Sequence, residues 1–524
     1  MTQRGGARAR DADWERLSQT CDLLVVGGGV TGAGVLLEAA RRGLRTVLVE
    51  RGDFASGTSS RSSKLVHGGL RYLAEGRIAL TRESVREREA LLQAAPGLVD
   101  SMPFLMPHYR GRRPGRLELA AGLALYDAFA GRRMHRFVDR DEALRLAPSI
   151  DERALTGAHL YEDAVTDDAR LVLRLLQEAR DAGGIAVNYA EATSLVRRDG
   201  AVVGACVADR AENRTTVVSS RAVINATGVY ADALRGEVGG APRLRPLRGS
   251  HVILPDWRLP LAQAVAFAHP SDGRPVFAYP WLGATLVGTT DVDHREPISH
   301  EPSISREEFA YLLDAVRAEF PRCGLRESDV LSTYAGIRPV LEDGRSDPSK
   351  AGRGYLVLRE RGLVTVTGGK LTTFRPMALH ALRAIAPLLA PRRLDLAAQP
   401  VFAAAPPPAG DLPLSTRRRL AGRFGARARD LLDAARDGET EAIGSMPALW
   451  AELRWSARNE SVVRLEDLLL RRTRIGLLAR DGAAAWLPRI RAICLEELAW
   501  DEERMQREET AYAALVRGRY GLPA

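Results

Sequence analysis

Four short segments of this chain set cationic and hydroxyl side chains beside glycine: Lys64 to Tyr72, Gly249 to His251, Gly336 to Pro339 and Gly368 to Thr373. Together they offer Lys64, His67, Arg71, Tyr72, His251, Arg338 and Lys370. Two or three such cations, brought together, would hold a phosphate ester, because arginine presents a planar fork of donors and lysine a point charge. A histidine among them could move a proton near neutral pH. Singly, most have a plainer reading: Arg71 as a surface arginine, His251 as a satisfied core histidine on an apolar strand, Arg338 as a structural residue before proline. Lys370 resists one. Lys64, Lys350 and Lys370 are the only lysines among 75 basic residues, and Lys370 occupies a glycine turn at the end of an apolar strand.

The element best suited to position these groups lies near the N-terminus. Leu23 to Val26 reads as a buried parallel strand and runs into Gly27-x-Gly29-x-x-Gly32. A helical pattern follows from Val30 to Arg42, then a second strand, Thr46 to Val49, ending on Glu50. This is a βαβ unit with a dinucleotide fingerprint, in which Gly27, Gly29 and Gly32 permit the turn and Glu50 is placed for a ribose. The helix N-terminus adds about half a positive charge toward a pyrophosphate. Further on, the strand Ala222 to Ile224 runs into Asn225-Ala-Thr-Gly228, a turn that in this context favours FAD over NAD. Val364 to Phe374 repeats the sequence of strand, glycine turn and helix start.

Composition sets the outer bounds. With 524 residues, 45% of them hydrophobic, there is more than one domain's worth of chain. A net charge of +9 suggests anionic partners: a phosphorylated substrate, an anionic lipid surface or nucleic acid. The arginines are dispersed and no nucleic-acid motif is present, so the last is set aside. Cys21, Cys206, Cys323 and Cys494 are isolated, which argues against a disulfide framework or a zinc site and fits a reducing compartment. No metal site is expected. No run of 18 apolar residues suggests a membrane span. Gly-x-Ser-x-Gly, His-Glu-x-x-His and P-loop patterns are lacking, so hydrolase and nucleoside-triphosphatase readings have no support.

The expected organisation is a mobile tail over 1–19 and a nucleotide-binding and substrate-binding region over 20–400. Within it, nucleotide-binding segments at about 20–80, 155–245 and 330–385 interleave with substrate segments at about 85–150 and 246–330. A Pro/Ala-rich linker is expected over 401–414 and a helical domain over 415–524. The substrate part should be an antiparallel sheet. An apolar helix near Leu117 to Phe129, flanked by Arg112, Arg113, Arg116, Arg132 and Arg133, could lie on a membrane surface.

Several of these strings resemble the FAD-dependent, respiratory-chain glycerol-3-phosphate dehydrogenases. They are Asp22 to Gly34, Thr58 to Leu73, Asp167 to Val172, Asn225 to Gly228, Gly249 to His251, Gly288 to Asp291, Gly336 to Pro339 and Gly368 to Thr373. Leu469-Leu-Arg-Arg-Thr473 resembles a string of that family's C-terminal domain, and Phe374 stands where the family often has tyrosine. The resemblance implies an α/β, FAD-binding Rossmann-like fold of the two-dinucleotide-domain flavoprotein type, with an antiparallel-sheet substrate domain and a C-terminal helical domain. It also implies oxidation of glycerol 3-phosphate to dihydroxyacetone phosphate by hydride transfer to FAD, with electrons passed to a membrane quinone.

The same resemblance implies residue roles. Arg71, Tyr72 and Arg338 would hold the phosphate, with Thr290 and Lys370 also on the substrate. His67, His251, Lys370 and Arg338 would form the catalytic set, with His67 the first choice of base and His251 the second. Besides the fingerprint glycines and Glu50, the cofactor would meet Thr58, Ser59, Ser60, Ser63, Lys64, Leu65, Thr227, Gly228, Gly369, Leu371 and Thr372. The protein would be cytoplasmic, peripherally bound to the anionic inner face of the cell membrane, and a homodimer is left open. The rival readings are an oxidase that uses oxygen and forms peroxide and, further off, an amine or amino-acid oxidase.

Overall fold

Leu23, Leu24 and Val25 are wholly buried because the strand carrying them, Cys21–Val26, sits in the middle of a sheet covered on both faces. The computed structural model describes residues 6–74, 76–342, 344, 354–397 and 399–523. In the first sheet the strand order is Tyr355–Glu360, Leu363–Gly368, Arg214–Asn225, Cys21–Val26, Thr46–Val49, Ile185–Val187, parallel except for the first. The chain leaves Cys21–Val26 toward Thr46–Val49 on one side, and Arg214–Asn225 returns on the other. The strand order therefore reverses at Cys21–Val26, and the crevice for a ligand opens at the carboxyl ends of these strands. Gly27, Glu50, Ala226 to Gly228 and Gly369 all follow those ends. One face packs against the helices Val30–Ala40, Asp168–Asp181 and Phe374–Ile385. The other is covered by the strands Ala190–Arg198 and Ala201–Asp209 and by Trp14 and Leu17.

Trp14 and Leu17 correct the expectation of a mobile tail over 1–19. Gly6–Glu15 is a helix and Arg16–Ser18 a 3-10 turn. Arg10 is buried, 2.6 Å from the Asp209 carboxylate and 2.9 Å from the Asn188 carbonyl. An arginine-rich stretch reads as solvated until its partners, here almost two hundred residues away, are known. Residues 1–5 lie outside the described residues.

The second sheet has ten strands, antiparallel apart from the pairing of Ala264–Ala268 with Val99–Tyr109. Its members include Leu65–Val66, Leu155–Thr166 and Ser332–Leu341. The expected segment bounds are corrected accordingly. Leu155–Thr166 pairs along its length with Val99–Tyr109, and Ser332–Leu341 with Leu244–Pro255, so both belong to the second sheet. The linker also begins later than 401, because Val401 and Phe402 are buried in the core beside Phe374–Ile385.

Helices dominate the C-terminal region, and its apolar core is continuous with the second sheet. Leu453, Leu468 and Trp500 share one buried cluster with Tyr161, Trp281 and Tyr334. Among the described residues no helix is long and apolar enough to cross a membrane.

Candidate active site

One cavity of about 1460 Å³ runs along the carboxyl edge of the first sheet and onto the second. Its first wall is made by the glycine turn. Gly27 has φ of 112°, and a Cβ there would lie 2.5 Å from the Ala226 carbonyl oxygen. Gly29, Val30 and Thr31 line the cavity at the helix N-terminus. Gly32 does not line it and was expected to. A Cβ at Gly32 would meet the Gly27 carbonyl oxygen at 1.9 Å, so this glycine lets the helix approach the strand.

The Glu50 carboxylate accepts from the backbone N–H of Gly28 at 2.7 Å and of Gly52 at 2.8 Å, and faces the cavity. Burial pushes the carboxyl above its ordinary range, against the pull of those two N–H groups. Arg51 lies over the Tyr230 ring at 3.8 Å, and Thr227 and Gly228 close the opposite side.

The loop after Glu50 supplies Thr58, Ser59, Ser62, Ser63 and Leu65 to the lining. The Thr58 hydroxyl donates to the Ile337 carbonyl at 2.5 Å, and the Ser59 hydroxyl accepts from the Val30 N–H at 2.9 Å. Ser60 and Lys64, expected among the cofactor contacts, do not line the cavity. Lys64 is 0% exposed, with its ammonium 3.0 Å from the Asp168 carboxylate and 2.9 Å from the Ser60 carbonyl. Burial lowers its pKa to about 8, with the Asp168 charge opposing the shift.

At the far end, groups from three elements meet. His67 and Tyr72 are stacked, with ring centroids 6.5 Å apart. The Lys370 ammonium lies 3.8 Å from the centre of the Tyr72 ring and donates to the Ser84 hydroxyl at 3.1 Å. Arg338 reaches the cavity from Ser332–Leu341. Its guanidinium is 2.7 Å from the Asp291 carboxylate and donates to the Thr289 hydroxyl at 2.9 Å. Gly369, Leu371 and Thr372 complete this end. Arg71 lies on the helix Leu70–Ala74, and its side chain is outside the described residues.

Two expected site residues stand behind the wall. His251 is buried, stacked on Tyr334 at 4.6 Å, with Nε2 2.9 Å from the Ser63 hydroxyl. Burial holds its pKa well below the ordinary imidazole value, and the charges of Arg338 and Lys64 add to that. The structure thus seats it one residue away from the cavity, through Ser63. The Thr290 hydroxyl donates to the Glu308 carboxylate at 2.6 Å and accepts from the Ser250 N–H at 2.9 Å, and Thr290 does not line the cavity. Its neighbours Thr289 and Asp291 do.

Three groups at this site were not singled out from the sequence. Asp291 braces Arg338, and the visible hint was its place in the string Gly288 to Asp291. Arg274 enters the cavity from a turn, with its guanidinium 3.8 Å from Asp291, and nothing in the sequence marks it. Arg471 reaches the lining from the C-terminal region. The lining also includes the apolar side chains of Phe104, Met106, Leu119 and Phe277 and the ring of Tyr161, interspersed with His108, Arg112, Arg113, Glu118 and Asp163.

A wall of backbone turns with an acid at the end of the second strand fits a dinucleotide, and the cationic end beside it suits an anionic group. Residues 22–375 match the model of the FAD dependent oxidoreductase family. Residues 389–505 match the C-terminal domain of alpha-glycerophosphate oxidase. A glycerol-3-phosphate dehydrogenase of Mycobacterium leprae is 34% identical over 535 residues, covering 98% of this chain and 91% of that protein. An aerobic glycerol-3-phosphate dehydrogenase of Staphylococcus saprophyticus is 33% identical over 485 residues, 87% of each chain. The glycerol-3-phosphate dehydrogenase of Bacillus halodurans, solved with FAD, superposes with a TM-score of 0.77 at 28% identity, covering 98% of both chains. An L-alpha-glycerophosphate oxidase from Mycoplasma pneumoniae with FAD bound shares the fold, with a TM-score of 0.58 at 20% identity over 74% of this chain and 98% of that one.

Proposed function

Because the chain belongs to the FAD-dependent oxidoreductase family, within its glycerol-3-phosphate dehydrogenase group, we propose that it oxidises sn-glycerol 3-phosphate to dihydroxyacetone phosphate and delivers the electrons to a membrane quinone. One observation carries the substrate: His67, Tyr72, Arg338 and Lys370 line the same cavity as the glycine turn and Glu50. Bound FAD would supply the acceptor for the hydride that leaves C2 of the substrate.

The chain's own residues do the rest. Arg338, held by Asp291 and Thr289, offers donors to the phosphate, and Arg274 adds a second guanidinium on the other side of Asp291. Tyr72 and the Lys370 ammonium bound against its ring narrow the space beside the phosphate. Lys370 also brings positive charge to where negative charge gathers as the C2 hydroxyl loses its proton. His67 takes that proton. His251 acts on Ser63, whose hydroxyl it orients from behind the wall. Glu50, which keeps the Gly28 and Gly52 backbone in place, would hold the adenosine ribose.

A quinone acceptor is supported by the outer face of the helix Arg116–Ala130, which adjoins the cavity through Glu118, Leu119 and Gly122. That face exposes Leu117 (83%) and Leu125 (40%), and Ile78 stands 53% exposed at the start of the neighbouring helix Ile78–Ala94. Arg112, Arg113, Arg116, Arg132 and Arg133 flank the face and are exposed. Apolar side chains ringed by arginine suit the surface of an anionic bilayer, where a quinone is dissolved. We place the protein there, peripherally, on the cytoplasmic side.

Oxygen is the second reading, favoured by the C-terminal match to an alpha-glycerophosphate oxidase domain. Anaerobic mixing with glycerol 3-phosphate, glycerol and glycerol 2-phosphate, followed by flavin absorbance, tests the substrate. Bleaching by the first alone is expected, and no bleaching by it refutes the proposal. Re-oxidation by a water-soluble quinone, compared with oxygen and a peroxide assay, then separates the two acceptors.

A further inference from the structure

Several groups converge on the wholly buried carboxylate of Asp168. The Lys64 ammonium is 3.0 Å from Oδ1. The backbone N–H and hydroxyl of Ser62 donate to Oδ2 at 3.0 and 2.7 Å. The Arg474 guanidinium pairs with Oδ1. Lys64 and Arg474 also both donate to the Ser60 carbonyl, at 2.9 and 3.3 Å. The Nε of Arg474 is 2.8 Å from the Asp167 carboxylate, which Arg423 pairs at 3.0 Å from the other side. The turn from Ser60 to Lys64 is therefore tied at its first residue, in its middle and at its last, and Arg474 touches two of the same anchor points.

That turn has a defined consequence. Lys64 sits at φ 52°, the left-handed region that a residue with a side chain seldom occupies unless its surroundings impose it. With the Ser60 carbonyl held by Lys64 and Arg474, and Ser62 and Lys64 held to Asp168, the segment Arg61 to Ser63 and Leu65 lines the cavity while Ser60 and Lys64 do not. Arg474 is 306 positions along the chain from Asp168 and lies in the C-terminal helical region.

We propose that Arg474 is a positioning residue for the cofactor: by closing the Asp168 cluster it fixes the 60–65 turn in the conformation that presents Ser62, Ser63 and Leu65 to FAD. The C-terminal region is on this account part of the cofactor site without touching the cofactor through this residue. Without Arg474, the adjacent carboxylates of Asp167 and Asp168 lose a shared counter-charge and the Ser60 carbonyl loses one of two donors. The turn is then free to relax out of its left-handed residue. A residue that merely stabilised the fold would affect the empty and loaded protein alike.

The full-length protein, stripped of FAD, provides the test. FAD is titrated back by fluorescence, and melting is followed with and without saturating FAD for wild type, Arg474→Ala, Arg474→Lys and Arg423→Lys. Arg423 is buried in the same cluster but bonds Asp167 and not the turn, so it reports the general effect of disturbing a buried arginine. The expected result is a rise of at least tenfold in the FAD Kd for Arg474→Ala, a smaller rise for Arg474→Lys and little change for Arg423→Lys, with a reduced FAD-induced gain in Tm. Equal loss of Tm in empty and loaded protein, at unchanged FAD Kd, overturns the proposal. If Arg474→Ala does not fold, amide exchange over residues 58–66 in Arg474→Lys decides. Faster exchange there than in wild type supports the proposal, and unchanged exchange with unchanged Kd overturns it.

Discussion

The guanidinium of Arg338 and the carboxylate of Asp291 are 2.7 Å apart at the cationic end of the cavity, with Asp291 nearly wholly buried. The pair aims a fork of donors that would otherwise be mobile. Arg338→Ala should raise KM for glycerol 3-phosphate by roughly ten- to a hundredfold, the range for losing one charge-assisted contact of about 1.5–3 kcal/mol. Asp291→Asn should raise it less, because the cation remains but loses its brace. Steady-state kinetics with glycerol 3-phosphate checks both, and an unchanged KM for Arg338→Ala removes the phosphate role.

Lys370 is fixed between the Tyr72 ring and the Ser84 hydroxyl, so its charge has a defined place beside the substrate. Replacing it by alanine should slow flavin reduction by about 10²–10³, the usual loss when one charge-stabilising donor is removed from a water-poor site. Stopped-flow reduction at saturating substrate isolates that step. A wild-type rate there leaves Lys370 without a catalytic part.

Much of this site is legible in the sequence because the signals are local. A glycine turn after an apolar strand, and an acid at the end of the next one, are set by spacing alone, and Gly27, Gly29 and Glu50 line the cavity. Lys64 shows the limit. Its rarity marks it as a residue with a task, but only the fold reveals its pairing with Asp168, 104 positions away. His251 and Thr290 are off the lining for non-local reasons too: a strand alternates its side chains between two faces, and the sequence does not say which face of Leu244–Pro255 is the cavity, while Thr290 lies in the connection between Ala284–Gly288 and Val292–Asp293 and is turned toward Glu308. The order Leu155–Thr166 beside Val99–Tyr109, and the buried pairs of Arg471 and Arg472 with Asp53, are equally non-local.

Glu319 gives a pH dependence with a clear sign. It is buried at the end of the helix Arg306–Glu319, accepts a hydrogen bond from Tyr109 at 2.7 Å, and is raised by burial from the ordinary 4.5 to about 7. A carboxyl raised on folding contributes stability below its unfolded pKa, and that contribution disappears as pH rises through the folded one. Wild-type stability should therefore fall between about pH 4.5 and 7, by on the order of 3 kcal/mol at most from this group. Glu319→Gln should remove that slope. Urea unfolding of both proteins at pH 5 and pH 8 checks it, and parallel slopes would falsify the assignment.

The two candidate bases separate by position. His67 lines the cavity and stacks beside Tyr72, while His251 lies behind Ser63 with its imidazole held neutral by burial. A base must come within hydrogen-bond reach of the proton it takes, directly or through one water. His67→Asn should accordingly lower the rate of flavin reduction by about 10²–10⁴. His251→Asn should lower it less and through Ser63, so that Ser63→Ala gives a similar loss and the double variant little more than either single one. If instead His251→Asn abolishes reduction while Ser63→Ala does not, the wall opens during turnover and His251 is the base.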